Sequence, residues 1–468
     1  MYQESELLPN HDDQHSSLRV GHWDLPAGRQ VWDLLLPILA YCIVYLRRTF
    51  SPMSWSRTRS ILVPILTAGL ILTASAILIA YGRGYRINVA RPTQLSPTGI
   101  ISATSDPVGA RILVDAKLKT ATNNSFAIPP GWYTVRIIKE GYISWEKRLR
   151  VQGEVVTRAD AYLFPTSPSL SPITTMGLSS PALSPDGGKI AFIVPPDAAR
   201  DGIKKPGLYT LELSDRPLGL NRDPKFIAEG DFAKADGLVW SPDGTQILVL
   251  SANTGTLFDL TKSSPIPSIS PISPIFSDWE KDAADRDRAK LASFKQPFIN
   301  VATESARILS FSPDESKLLY QATAAATIPA ILTPPLIGAN PTQESRTITP
   351  GHLYVYDSKE DKNYLILTRQ EVESLLPAPS PAPKNPRSNP GNSTHSVVWL
   401  PTSRHLLLTG RGKIDVMEYD RTNWTTLYSG PFDGSFLAPL PGGGRLVILT
   451  NLNPGQAKLP NLYTLNLR

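Results

Sequence analysis

The sequence predicts a mainly β chain behind an apolar N-terminal helix. A transmembrane helix, with a second candidate upstream, leads into a small antiparallel β-sandwich and then a β-propeller of about five to seven blades. Three observations carry this prediction. Residues 61–81 contain no charge. Residues 99–164 hold short runs that alternate apolar and polar, as half-buried strands do. From residue 166 one hairpin text recurs, as LSPDGGKIAFIV at Leu183, WSPDGTQILVL at Trp240 and FSPDESKLLY at Phe311.

Composition agrees. Of 468 residues 44 are proline, which favours turns and extended linkers over a helical bundle. A net charge of +6 is modest for this length, and much of the local excess lies beside apolar segments. Membrane topology explains that placement better than nucleic acid, so no nucleic-acid partner is expected. The single cysteine, Cys42, excludes an intramolecular disulfide and a cysteine-based metal cluster.

Residues 1–30 form a polar tail. Residues 31–46 are apolar but short for a span, and Pro37 interrupts them. Three readings stay open: a first membrane helix, an interfacial helix, or part of an upstream extension if the natural start is Met53. Residues 61–81, ILVPILTAGLILTASAILIAY, cross a ~30 Å hydrocarbon core at 1.5 Å per residue. Pro64 is expected in the first helical turn, where its missing N–H is tolerated. The segment between the two apolar runs carries Arg47, Arg48, Arg57 and Arg59 and no acid, which places it in the cytoplasm and the C-terminal region outside the cell membrane. No small-residue cleavage site follows closely, so the helix reads as a retained anchor.

In residues 99–164 the alternating runs are GARILVD (Gly109–Asp115), WYTVRIIKE (Trp132–Glu140) and WEKRLRVQ (Trp145–Gln152), with turn chemistry at Ile128–Gly131 and Glu140–Tyr142. SDPVGARILVD and PPGWYTVRIIKEGYISWEKRLRV resemble the PEGA domain, a small surface-associated β module of bacteria. The naming tetrapeptide reads Pro107-Val108-Gly109-Ala110, so it departs at its second position, and TATNNSFA (Thr120–Ala127) replaces the family's usual Gly-x-Thr-Pro. The resemblance implies no catalytic residue. Trp132, Tyr133, Tyr142 and Trp145 read as sandwich core and rim, with an exposed aromatic face for a sugar or peptide as the other reading.

Residues 166–468 follow. Each Ser-Pro-Asp-Gly turn joins two antiparallel strands, with Pro at the second turn position, Asp bonding its own backbone and Gly at positive φ. The apolar run behind each turn has two greasy faces, so its sheet must be sandwiched between neighbours, as radial packing achieves. Degenerate copies stand at Val397–Gly410 and Ala438–Thr450. Pro-rich or polar insertions are expected at 263–300, 322–350 and 372–394; the first holds a charged helical piece, DWEKDAADRDRAKLASF. What remains fits five blades of roughly 40–45 residues, or six or seven if an insertion hides a degenerate one. These repeats resemble the WD40-like propeller repeats of bacterial envelope proteins, including the Tol-type periplasmic propeller.

Catalytic patterns are missing. There is no Gly-x-Ser-x-Gly elbow, Walker loop or His-Glu-x-x-His. GRGYR (Gly82–Arg86) is too short for a dinucleotide fingerprint, and PGGGR (Pro441–Arg445) sits at a repeat turn. His11 and His15 have helical metal-ligand spacing but lie in the polar tail. Asp285–Arg288, DRDR, suits exposed helix pairs better than calcium. Asp186, Asp243 and Asp314 read as turn formers. No catalytic, cofactor or metal residue is therefore expected. The expectation is a membrane-anchored envelope protein, not an enzyme, in contact with lipid through residues 61–81. Its extracytoplasmic ectodomain would bind or scaffold a protein or a cell-wall glycan. The alternative is an envelope hydrolase or lyase with its site on the propeller's ring face.

Overall fold

The computed structural model describes residues 55–82, 86–88, 91–96, 98–198, 205–213, 223–251, 254–262, 267–375, 397–410, 412–455 and 458–468. The polar tail, the 31–46 segment, His11 and His15, and most of the 372–394 insertion lie outside these residues. The chain divides into two compact units, Met1–Tyr81 and Gly82–Arg468.

The first unit contributes helix α1, Trp55–Gly82. Leu62–Ile79 is long and apolar enough to cross a membrane, and its side chains are exposed throughout. Two of its hydroxyls bond within the helix: Thr67 Oγ1 donates to the Val63 and Pro64 carbonyls and Thr73 Oγ1 to that of Gly69. One expectation needs correcting. The polar flank from Trp55 is helical too, so Pro64 stands inside the helix and not in its first turn.

In the second unit, Arg86–Asn88 pairs with Arg91–Ser96. A sandwich follows. One sheet has the order Asn124–Ile128, Gly99–Asp106, Val156–Tyr162; the other has Lys117–Ala121, Arg111–Val114, Gly131–Ile138, Trp145–Val151. Gly99–Asp106 and Val156–Tyr162 run parallel. Ile101, Ile112, Val135, Ile137 and Ala159 are fully buried between the sheets.

Among the described residues after the sandwich there are five further four-stranded antiparallel sheets. Sheet I is Ser179–Leu183, Lys189–Val194, Gly207–Glu212 and Lys225–Glu229. Sheet II is Gly237–Trp240, Gln246–Ser251, Thr254–Asp259 and Ser268–Pro271. Sheet III is Ala306–Phe311, Lys317–Ala322, Leu353–Asp357 and Lys362–Leu367. Sheet IV is Val397–Trp399, His405–Gly410, Lys413–Glu418 and Thr425–Ser429. Sheet V is Asp433–Pro439, Arg445–Thr450 and Asn461–Asn466, with Leu170–Pro172 as its outer strand.

The second strands are buried on both faces, as their unbroken apolar runs require; every residue from Ile190 to Val194 is 0% exposed. Side chains of these and the following strands pack onto neighbouring sheets. Phe192 and Tyr209 of sheet I meet Phe436 and Val447 of sheet V. Ile193 and Leu208 meet Trp240 and Val249 of sheet II. Leu319 and Val355 of sheet III meet Trp399 and Leu406 of sheet IV, and Leu407 and Val416 of sheet IV meet Leu446 and Ile448 of sheet V.

Helices stand between sheets II and III. Helix α2, Ile272–Leu291, presents Ile272, Ile275, Phe276 and Trp279, an i, i+3, i+4, i+7 stripe, to Val239, Leu248 and Leu250 of sheet II. Helix α3, Gln296–Glu304, lays Phe298 on the ring of Tyr356 in sheet III, 3.7 Å between centroids. A short helix, α4, Arg369–Leu375, follows sheet III.

Sheet V joins the two ends of the repeat region, and this dictates a first prediction. Leu465 is fully buried and pairs with Leu170 on one side and Leu446 on the other. Leu465→Ala is expected to cost about 2–5 kcal/mol, read from the urea unfolding midpoint.

Candidate interaction site at the sandwich–sheet junction

The turn aspartates act as their spacing requires. Ser184, Ser241 and Ser312 each donate a hydroxyl hydrogen bond to the aspartate two residues on, at 2.5, 2.5 and 2.7 Å. Each carboxylate also accepts the N–H two residues further, from Gly188, Thr245 and Ser316. These bonds outweigh the effect of partial burial and hold all three carboxyls below the usual range. Gly187, Gly244 and Gly443 take the positive φ of their turns. On α2 the DRDR stretch forms exposed pairs, Arg288 with Asp285 at 2.6 Å and Arg286 with Asp282 at 3.4 Å. Among the described residues no group of three or more His, Cys, Asp or Glu could hold a metal ion.

The concentrated chemistry lies where the sandwich meets sheets IV and V. Strand Trp145–Val151 is the sandwich's edge, and its Lys147 reaches the end of strand Lys413–Glu418. The Lys147 ammonium sits 3.0 Å from Glu418 Oε2 and 2.5 Å from Asp420 Oδ2, with the two acid side chains 2% and 0% exposed. The remaining lone pairs are filled. Glu418 Oε1 accepts from the Trp145 indole N–H and from Asn423 Nδ2 at 3.1 Å. Asp420 accepts from Asn340 Nδ2 at 2.7 Å, Thr342 at 2.8 Å and Thr422 at 2.6 Å. Burial pushes the Lys147 ammonium towards losing its proton, but the two carboxylates outweigh it and hold its pKa above the ordinary value. Burial pushes Glu418 and Asp420 up; the Lys147 charge beside them wins, and both are held below the ordinary carboxylate value.

Beside this triad stands His405, 4% exposed. Thr402 Oγ1 lies 3.0 Å from its Nδ1, and the rings of Tyr162 and Phe164 approach to 5.6 and 5.4 Å. Full burial drives the imidazole's pKa down to about 4, with Arg404 and Lys147 pushing the same way against Glu418 and Asp420. Around it the seam continues. Arg404 Nη2 donates to the Asp160 carbonyl at 2.9 Å, the Tyr162 hydroxyl to the Gly443 carbonyl at 3.0 Å, and Arg468 Nη2 to Asp106 Oδ2 at 2.6 Å. A crevice of about 260 Å³ opens here between Thr104, Asp106, Asp160 and Tyr162 of the sandwich and Thr402 and Arg404 of sheet IV.

Residues 98–167 match the PEGA domain. No curated protein sequence matches the chain. Solved structures similar to it include two of TolB. One is TolB from Acinetobacter baumannii, 14% identical over 79% of this chain and 63% of that one, with a TM-score of 0.21. The other is the putative TolB from Agrobacterium tumefaciens, 13% identical over 60% of this chain and 76% of that one, with a TM-score of 0.20. The chain thus spans less than two thirds of the Acinetobacter protein's length.

Within the PEGA domain the four aromatics part company. Trp145 is core, 4% exposed, and also bonds across the seam; Tyr133 and Tyr142 pack against the core from its rim; Trp132 is 49% exposed. Lys147, Glu418, Asp420 and His405 were not singled out in the sequence. About 270 residues separate the lysine from its acids: Lys147 and Glu418 stand in strands and Asp420 in the turn that follows Lys413–Glu418.

Proposed function

We propose that the chain is a membrane-anchored envelope protein whose ectodomain is a non-catalytic binding scaffold for a protein or a cell-wall glycan. In this reading α1 crosses the membrane, the region after it is extracytoplasmic, and the five sheets close into a propeller around an axis. The observation that carries it is the buried seam. Lys147, Glu418 and Asp420 fasten the PEGA sandwich to sheet IV, so the two modules present one rigid surface instead of beads on a string. A fastened pair of modules behind an apolar helix suits display and docking. The lysine and its two acids are saturated by each other and by fixed donors, which leaves them structural and not poised for proton transfer.

The test is crosslinking in intact cells with the full chain, followed by capture and identification of attached protein or cell-wall material. A specific attached partner, together with removal of C-terminal fragments by external protease without lysis, supports the reading. A reporter at Arg468 that is active only in the cytoplasm overturns it.

A further inference from the structure

One face of the sandwich is left uncovered by the seam. The sheet that holds Trp145–Val151 turns its even-numbered residues on that strand outward, and cross-strand register continues the face: Arg150 opposite Trp132, Arg148 opposite Thr134, Glu146 opposite Arg136. Beyond them come Leu113 opposite Arg136, and then Leu118 opposite Leu113 on the edge strand. Arg111 shares the outward set. Trp132 is 49% exposed and Leu118 64% exposed. Arg111, Arg136, Arg148 and Arg150 are exposed, against two acids at the face: Glu146, which pairs with Arg136 at 3.7 Å, and Asp115, whose Oδ1 accepts the Thr134 N–H at 2.9 Å. The Arg148 guanidinium lies 5.1 Å over the Trp132 ring. Lys117 and Lys119 flank Leu118 on the edge strand.

We propose that this outward sheet face, Trp132 and Leu118 set among Arg111, Arg136, Arg148 and Arg150, docks onto an anionic membrane surface.

The charge is one-sided: four guanidiniums, with Lys117 and Lys119 beside them, outnumber the two acids and match a plane of phosphates, which arginine binds in bidentate fashion. The aromatic is of the right kind and exposure, since a half-exposed tryptophan with a cation over its ring suits the headgroup region, where it buries its body and keeps its polar edge wet. The reach is short. Residues 83–98 separate α1 from the sandwich, at most about 55 Å fully extended, and part of that stretch is folded into the Arg86–Ser96 hairpin. A tether of this length keeps the face at high effective concentration over whatever bilayer holds α1. The inference rests on the anchor reading of α1.

The experiment uses the full chain with Cys42→Ser and Thr134→Cys, so that the only thiol sits mid-face between Trp132 and Arg136. The protein is placed in lipid nanodiscs of phosphatidylcholine alone or with 30% phosphatidylglycerol and labelled with an impermeant maleimide. Labelling is expected to be at least about tenfold slower in the anionic discs, and Arg148→Gln with Arg150→Gln is expected to remove the difference. Equal rates in the two discs overturn the proposal while leaving the anchor in place. Slowing by a soluble anionic polysaccharide in phosphatidylcholine discs, without slowing by phosphatidylglycerol, overturns it in favour of a glycan. A chain that does not enter discs at all overturns the anchor, and the proposal with it.

Discussion

Replacing Lys147 with methionine is expected to cost about 3–5 kcal/mol of unfolding free energy, the largest loss from a single substitution at the junction. The reason is what it leaves behind. Glu418 and Asp420, with side chains 2% and 0% exposed, would face each other without the ammonium that lies within 3.0 Å of both. Each carboxylate already raises the other's proton affinity, so the pair would take up a proton or break the seam. The measurement is the urea midpoint at neutral pH. Alongside it, limited proteolysis of the Phe164–Leu170 connection should be accelerated as the sandwich detaches. The triple variant Lys147→Met, Glu418→Gln, Asp420→Asn is expected to recover most of the loss. The new amide oxygens can still accept from Trp145, Asn423, Asn340 and Thr422 with no buried charge remaining. A loss below about 1 kcal/mol for Lys147→Met would mean that water reaches the triad and that the modules are not fastened.

What the sequence showed plainly was local chemistry. Ser-Pro-Asp-Gly turns followed by four or five apolar residues announce a hairpin wherever they occur, because the proline, the aspartate and the glycine each satisfy one requirement of the turn. Short outer strands were harder to see. Leu170–Pro172 lies inside the Ser-Pro text FPTSPSLSPITT and holds its place through Leu465 and Thr464, almost 300 residues later. Ser268–Pro271, the outer strand of sheet II, lies in the 263–300 stretch, where no alternation marks it. Thr347–Ile348 pairs with Ala326–Thr327 inside 322–350 and buries Ile348 against sheet III. Strands of two to four residues carry too few side chains to write a period, so only their partners define them.

The junction was illegible for a different reason. MEYDRTNW, Met417–Trp424, looks like a charged hairpin end. Only the fold reveals that Glu418, Asp420 and Asn423 all turn towards the sandwich edge, with Thr422 bonded to Asp420 behind them. By contrast the exposure of Trp132 was within reach of the sequence, since Trp132, Thr134 and Arg136 alternate with the buried Val135 and Ile137. What sequence could not supply was which of the two outer faces the sheets would cover.

Acid should loosen the same seam in a window that one residue sets. His405 is buried with its pKa held at about 4, against 6.5 for the free side chain, so folding favours the neutral imidazole. The unfolded chain therefore binds the extra proton. The stabilisation is fully present above pH 6.5 and is lost as the pH falls from 6.5 through about 4. Across that window the loss is on the order of 3 kcal/mol. Glu418 and Asp420 act lower down. Their folded values are depressed, so their contribution is present above the unfolded values of 4.5 and 3.8 and disappears only beneath them. Between pH 6.5 and about 4.5 the histidine is thus the junction group expected to dominate. Unfolding free energies at pH 7.5, 6, 5 and 4.5 for the wild-type chain and for His405→Gln, whose amide can keep the Thr402 hydrogen bond, separate the two contributions. The variant is expected to start less stable and to show a flatter pH profile over this range. Parallel profiles would show that His405 binds its proton in the folded chain as readily as in the unfolded one, and that Tyr162 and Phe164 do not seal it from water.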